Sequence, residues 1–115
     1  MSQLVRKLSE QENPVEIILW PTQTLAALKE CLDQGYLNIR FTNTQGGTEL
    51  HVILDRHASK LQGDFERGIG HLQIVGRLTL DYVKVTCVVE IDLPSFVGKG
   101  LLIPVDVATA SKVGQ

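Results

Sequence analysis

The chain has 115 residues, 43% of them hydrophobic and 21% charged, which suits one domain with a core of its own and leaves no room for a second. A formal charge of -2, with one Trp, two Tyr and three Phe scattered among acidic neighbours, offers neither the basic stripe nor the stacking platforms that nucleic acid needs, and no positive face for an acidic membrane. No apolar run approaches the ~20 residues of a membrane span, no signal-type leader opens the chain, and two cysteines fit a reducing compartment, so the expectation is a cytoplasmic protein.

Residues 1–14 read as a polar lead-in that places Leu4, Val5 and Leu8 at helical spacing. The run Val15–Trp20, bounded by Pro14 and Pro21, predicts a short strand buried on both faces. A helix over 22–34 follows, with Thr22 as its cap, Leu25, Leu28, Cys31 and Leu32 as its apolar stripe, and Gly35 as its stop. Two alternating runs then fold about the turn Thr44–Gly47, pairing Phe41 with Leu50, Ile39 with Val52 and Leu37 with Leu54, with Arg40 opposite His51. A strand, a helix and a strand in succession make a right-handed crossover unit if the strands are parallel. Residues 57–67 have Ala58, Leu61 and Phe65 at helical spacing, against the glycines at 63, 68 and 70, so a second short helix competes with an ordered loop.

The stretch His71–Leu93 organises the rest. Its apolar residues sit at even numbers up to Leu80 and at odd numbers from Val83, and such a flip of phase requires a turn or bulge at Asp81–Tyr82. Folding there pairs Leu80 with Val83, Leu78 with Val85, Gly76 with Cys87, Ile74 with Val89 and Leu72 with Ile91, and makes Cys87 a buried structural thiol. A loop over 94–100, a last strand Leu101–Val105 and a frayed tail over 107–115 complete the chain. The expected fold is a single α+β domain over 15–106, a mainly antiparallel sheet of about six strands with one well-marked helix. Its first six elements follow ferredoxin-like order, and two strands are added.

Chemistry is less marked. His51 and Asp55 share a strand face and His57 follows just past its end, types that could bind a metal or transfer protons, with His71 or Glu66 joining from elsewhere. Residues i and i+4 of a strand, however, lie about 13 Å apart, too far for one ion, so no metal and no cofactor are expected. The glycines of Phe96–Leu102 lack a phosphate-loop motif, and no motif has the spacing of a known family.

The fold therefore leaves a surplus of apolar residues on faces that should be wet, above all Val75 and Val88, set side by side by the hairpin register and rimmed by Gln73 with Glu90 and Arg77 with Thr86. The reading that follows is a small interaction or accessory module that self-associates as a homodimer through that face. The alternatives are a small metal-dependent hydrolase or acid-base isomerase using His51, Asp55, His57 and His71, and a binder of small apolar molecules walled by Trp20, Tyr36 and Tyr82.

Overall fold

The computed structural model describes residues 3–19, 22–61, 63–64, 67–93 and 95–105. In chain order they form α1 (Gln3–Glu10), β1 (Asn13–Ile18), α2 (Leu25–Gln34), β2 (Tyr36–Phe41), β3 (Thr48–Leu54), β4 (Gly70–Leu80), β5 (Val83–Leu93) and β6 (Val97–Pro104). Each strand is antiparallel to the next, and β6 returns to pair with β1, so six strands close into an up-and-down barrel.

Closure corrects the expectation of an open α+β sheet with ferredoxin-like order. That order requires β1 and the strand after the helix to be joined by a parallel crossover, whereas β1 and β2 are antiparallel neighbours, with Val15 opposite Phe41 and Ile17 opposite Ile39. Gln23 folds the connection back at the end of β1 by accepting from the Leu19 amide, 2.8 Å away. Nor does β6 add to an edge: it lies between β5 and β1, and its pairing with both removes the edges an open sheet would leave.

Alternation along the strands fills the inside. Val15, Ile17, Leu37, Ile39, Phe41, Val52, Leu72, Ile74, Val89, Ile91 and Leu102 are all almost completely buried, as expected of a six-strand bore filled by side chains. Glycine makes the small bore feasible at Gly76 and Gly98. A Cβ at Gly76 would overlap the Val52 side chain, and one at Gly98 would overlap the Glu90 carbonyl of the neighbouring strand. Cys87 is 1% exposed beside Gly76, and burial pushes its thiol up to about 12, which leaves it protonated and inert. The room beside Cys87 is taken up by Val52 as well as by sulfur.

One end is stoppered by α1. Val5 and Leu8 are fully buried, α1 packs on β6, and the buried Asn13 ties the helix down by donating from Nδ2 to the carbonyls of Leu8, Gln11 and Gly100. The second helix packs on β2. Its cap is Thr24 rather than Thr22, with Oγ1 accepting from the Ala27 amide at 3.2 Å, and it ends where Gly35 takes φ 90° and donates to the carbonyls of Cys31 and Leu32. The strand expected over Val15–Trp20 runs over Asn13–Ile18 instead, burying Val15 and Ile17 on one face only; Trp20 lies outside the described residues.

The long hairpin has the register that its alternation requires, from Leu80 opposite Val83 to Leu72 opposite Ile91. Asp81 and Tyr82 both adopt positive φ, 50° and 67°, the backbone of a tight primed turn made without glycine. The β2–β3 hairpin differs from expectation by two residues: Phe41 faces Thr48, Ile39 faces Leu50 and Leu37 faces Val52. A slide of two keeps every side chain on its face, so alternation cannot exclude it; the longer loop over 42–47 decides. No helix forms in the described part of 57–67. Residues 56–58 make a turn, and the backbone of Lys60 then pairs with Gln73 at the side of β4, which a helical backbone could not do.

Candidate functional site

The three histidines are carried to separate places. His51 is exposed on the outer face of β3, where its ring stacks on Tyr36 with centroids 4.9 Å apart and Nδ1–H donates to Asn38 Oδ1 at 2.9 Å. The shifted register puts Asn38, not Arg40, opposite it. A hydrogen bond to Cys31, more than any other influence, raises the Tyr36 phenol above its ordinary value, so it is neutral. Asp55 is turned to its own backbone: Oδ1 accepts from the amides of His57 and Ala58 at 3.1 and 3.2 Å, holding the turn that follows β3. His57 is exposed on that turn. Glu66, the other residue weighed for this cluster, lies outside the described residues.

His71 sits towards the other end of the barrel wall. Arg77 lies opposite Ile53, so continuing the strand direction puts His51 level with residue 79, eight positions and on the order of 26 Å from His71. A single ion or reaction centre cannot collect both. Among the described residues, no group of three His, Cys, Asp or Glu side chains is placed to hold a metal.

His71 instead forms an acid-base cluster of its own. Nδ1–H donates to Asp92 Oδ1 at 2.6 Å and Nε2 lies 4.0 Å from Glu90 Oε1, both acids on the outer face of β5. The Asp92 hydrogen bond, ahead of the charges of Asp92 and Glu90, raises the imidazole above its usual 6.5. A raised folded pKa favours the folded state fully below pH 6.5 and loses that contribution as pH rises through the folded pKa. All three side chains are well exposed, so the effect on stability is small. The expected result is a His71 titration, followed by imidazole NMR, with its midpoint above 6.5 in the native chain and moved down in Asp92→Asn. An unmoved midpoint would mean that Asp92 does not hold the proton. The hairpin register already places His71 opposite Asp92, so this pair could have been read from the same alternation that aligned the strands.

The apolar candidates do come together. Val75 lies opposite Val88, and Val88 opposite Leu101 of β6, making a row three strands wide on the outside of the barrel. One row along, Ile53 and Ile103 flank Arg77 and Thr86 and are 49% and 47% exposed. Glu90 lies in the polar row on the other side, between Gln73 and Lys99. Leu101 and Ile103 are the members that sequence reasoning missed, because nothing local tells which strand a final segment will join.

Two surface grooves accompany these rows, of about 440 and 380 Å³, and neither is lined by a histidine. The larger lies at the β3–β4 seam near the tip of the long hairpin, lined by Ile53 and Val105, by the outward residues Arg77, Thr79 and Lys84, and by the inward pair Leu78 and Val85. Tyr36 and Tyr82, weighed as walls of one pocket, are separated: Tyr36 stacks on His51, whereas Tyr82 projects fully exposed from the hairpin tip. No helix among the described residues is long and apolar enough to cross a membrane. In comparisons with known proteins, the chain matches no family model and no curated protein.

Proposed function

We propose that the chain is a small interaction module that self-associates, as a two-fold dimer, through the outer face of β4, β5 and β6. The observation that carries this reading is the row Val75, Val88 and Leu101, apolar across three adjacent strands on the outside of a barrel whose inside is already filled. The second helix packs on β2, away from β4 and β5, and α1, which packs on β6, turns Val5 and Leu8 into the core. Gln73, Glu90 and Lys99 on one side and Arg77 and Thr86 on the other give the apolar centre a polar rim, the arrangement of a protein interface.

A two-fold axis through Val88 would set the same rows against each other, and removing ~400 Å² of apolar surface from water contributes on the order of 10 kcal/mol before association costs are subtracted. Light scattering on the native chain at micromolar concentration is expected to give a dimer, and Val88→Lys, which places a charge at the centre, a folded monomer. A monomeric native chain, or a lysine variant that stays associated, counts against this face.

A further inference from the structure

We infer that the groove beside the β3–β4 seam docks an extended acidic segment of a partner protein, taken up as an added strand along the open edge of β4. The inference deepens the interaction reading by naming a partner chemistry, and it does not depend on self-association.

The edge follows from the register. Leu80 and Val83 flank the two-residue turn, so even-numbered residues of β4 exchange hydrogen bonds with β5, and odd-numbered residues direct their N–H and C=O the other way. Most of those are taken. Gln73 exchanges bonds of 2.7 and 2.9 Å with Lys60, the Val75 carbonyl accepts from Asp55 at 2.8 Å, and Arg77 pairs with Ile53. The β3–β4 ladder consists of Ile53–Arg77 and Leu54–Gly76 and ends there, so Thr79 has no backbone partner on that side among the described residues. In an otherwise closed barrel this is an open stretch of edge, the element that strand addition uses.

The groove of about 440 Å³ lies against that stretch and combines apolar walls, Ile53, Leu78 and Val105, with two cations, Arg77 and Lys84. Neither cation has an ion pair or a side-chain hydrogen bond among the described residues, in a chain that carries more acids than bases. Arg77 lies opposite Thr86 and Lys84 opposite Thr79, which makes the two cations diagonal neighbours on one face, roughly 7–8 Å apart. The place level with Arg77 on this edge is held by Ile53, so a segment whose backbone bonds to Thr79 sets one outward carboxylate opposite Thr79, diagonal to Arg77 and across Thr79 from Lys84, within reach of both long side chains, while an apolar neighbour rests on Ile53. The groove is open along the surface, which suits a peptide better than the chain of a fatty acid, whose burial needs enclosure.

The probe is the capped peptide Glu-Val-Glu-Val-Glu-Val, titrated into the full chain and followed by amide NMR. Saturable shifts centred on Arg77–Thr79 are expected, with affinity reduced at least tenfold in the double variant Arg77→Glu, Lys84→Glu and lost for the same peptide with lysine in place of glutamate. Thr79→Pro removes an N–H that β5 does not use, so the hairpin should stay folded, as its own amide spectrum reports, and peptide binding should disappear. Shifts centred elsewhere, undiminished binding to Thr79→Pro, or shifts here with sodium decanoate and none with the peptide would each overturn the inference. Light scattering reads self-association separately, so either reading can fail alone.

Discussion

Gly98→Ala is expected to cost about 3 kcal/mol, lowering the urea midpoint by about 1–2 M. Gly98 lies where the barrel closes, opposite Ile91 on one side and Val15 on the other. The nearest atoms that an added Cβ would meet are the carbonyl oxygen and carbon of Glu90 and the Cα of Ile91, all backbone, so no side chain can rotate out of the way. The closing strand must move outward, and the movement spreads to both of its ladders. Gly46→Ala is the comparison that isolates the cause. Gly46 has φ 74° and nothing within 4 Å of the added atom, so that change reports the backbone penalty of a left-handed residue alone, about 1–2 kcal/mol. Chemical denaturation of the two variants checks the order. If Gly98→Ala unfolds no more easily than Gly46→Ala, β5 and β6 are not in the close contact described.

Leu8→Ala is expected to destabilise the chain by about 2–5 kcal/mol, the range for emptying a fully buried leucine site. Leu8 has no exposed surface, although it stands in a stretch of mostly polar residues, and with Val5 it belongs to the same core cluster as Val15, Phe41 and Leu102. The loss should be large because the helix is held in place: Asn13 fastens its end through the Leu8 and Gln11 carbonyls, and Lys7 Nζ donates to the Asn43 carbonyl at 2.7 Å. The walls therefore cannot collapse readily into the cavity. Leu4→Ala, at a position packed against the core but only partly buried, should cost less than half as much. Thermal unfolding followed by circular dichroism compares them. Equal and small losses would mean that α1 rests on the barrel without stoppering it.

Much of this architecture can be read before any coordinates are consulted, and where it can, the reason is local. The phase flip between Leu80 and Val83 admits one hairpin register that keeps all the apolar residues together, and that register is the one found, down to Gly76 beside Cys87. The helix ending at Gly35 is marked by a 3.6-residue stripe and by a residue free to take positive φ. The same register carries the outer row of Val75 and Val88, and also the His71–Asp92 pair. The β2–β3 hairpin marks the limit of such reasoning. A period of two identifies the inner face but does not distinguish Phe41 opposite Thr48 from Phe41 opposite Leu50, because both satisfy it.

What the sequence by itself determined is the four strands β2 to β5 and the face each turns inward, the long hairpin and its partners across the turn, and the helix before Gly35; the last strand, expected over Leu101–Val105 after a loop over 94–100, instead begins at Val97. What only the tertiary structure decided is how the first and last strands meet. Val15 joins Gly98 across most of the chain, with no turn residue or short loop between them to announce the pairing, and that one ladder separates a closed barrel from the open sheet that the same order of elements suggests. The other long-range ladders decided what the outer surface carries. The β3–β4 register holds His51 and His71 at different levels of the wall and ends before Thr79, and the β5–β6 register adds Leu101 to Val75 and Val88. Each of these depends on contacts between residues distant in sequence, whose geometry comes from packing a whole sheet around a narrow core, and period and propensity carry no information about that.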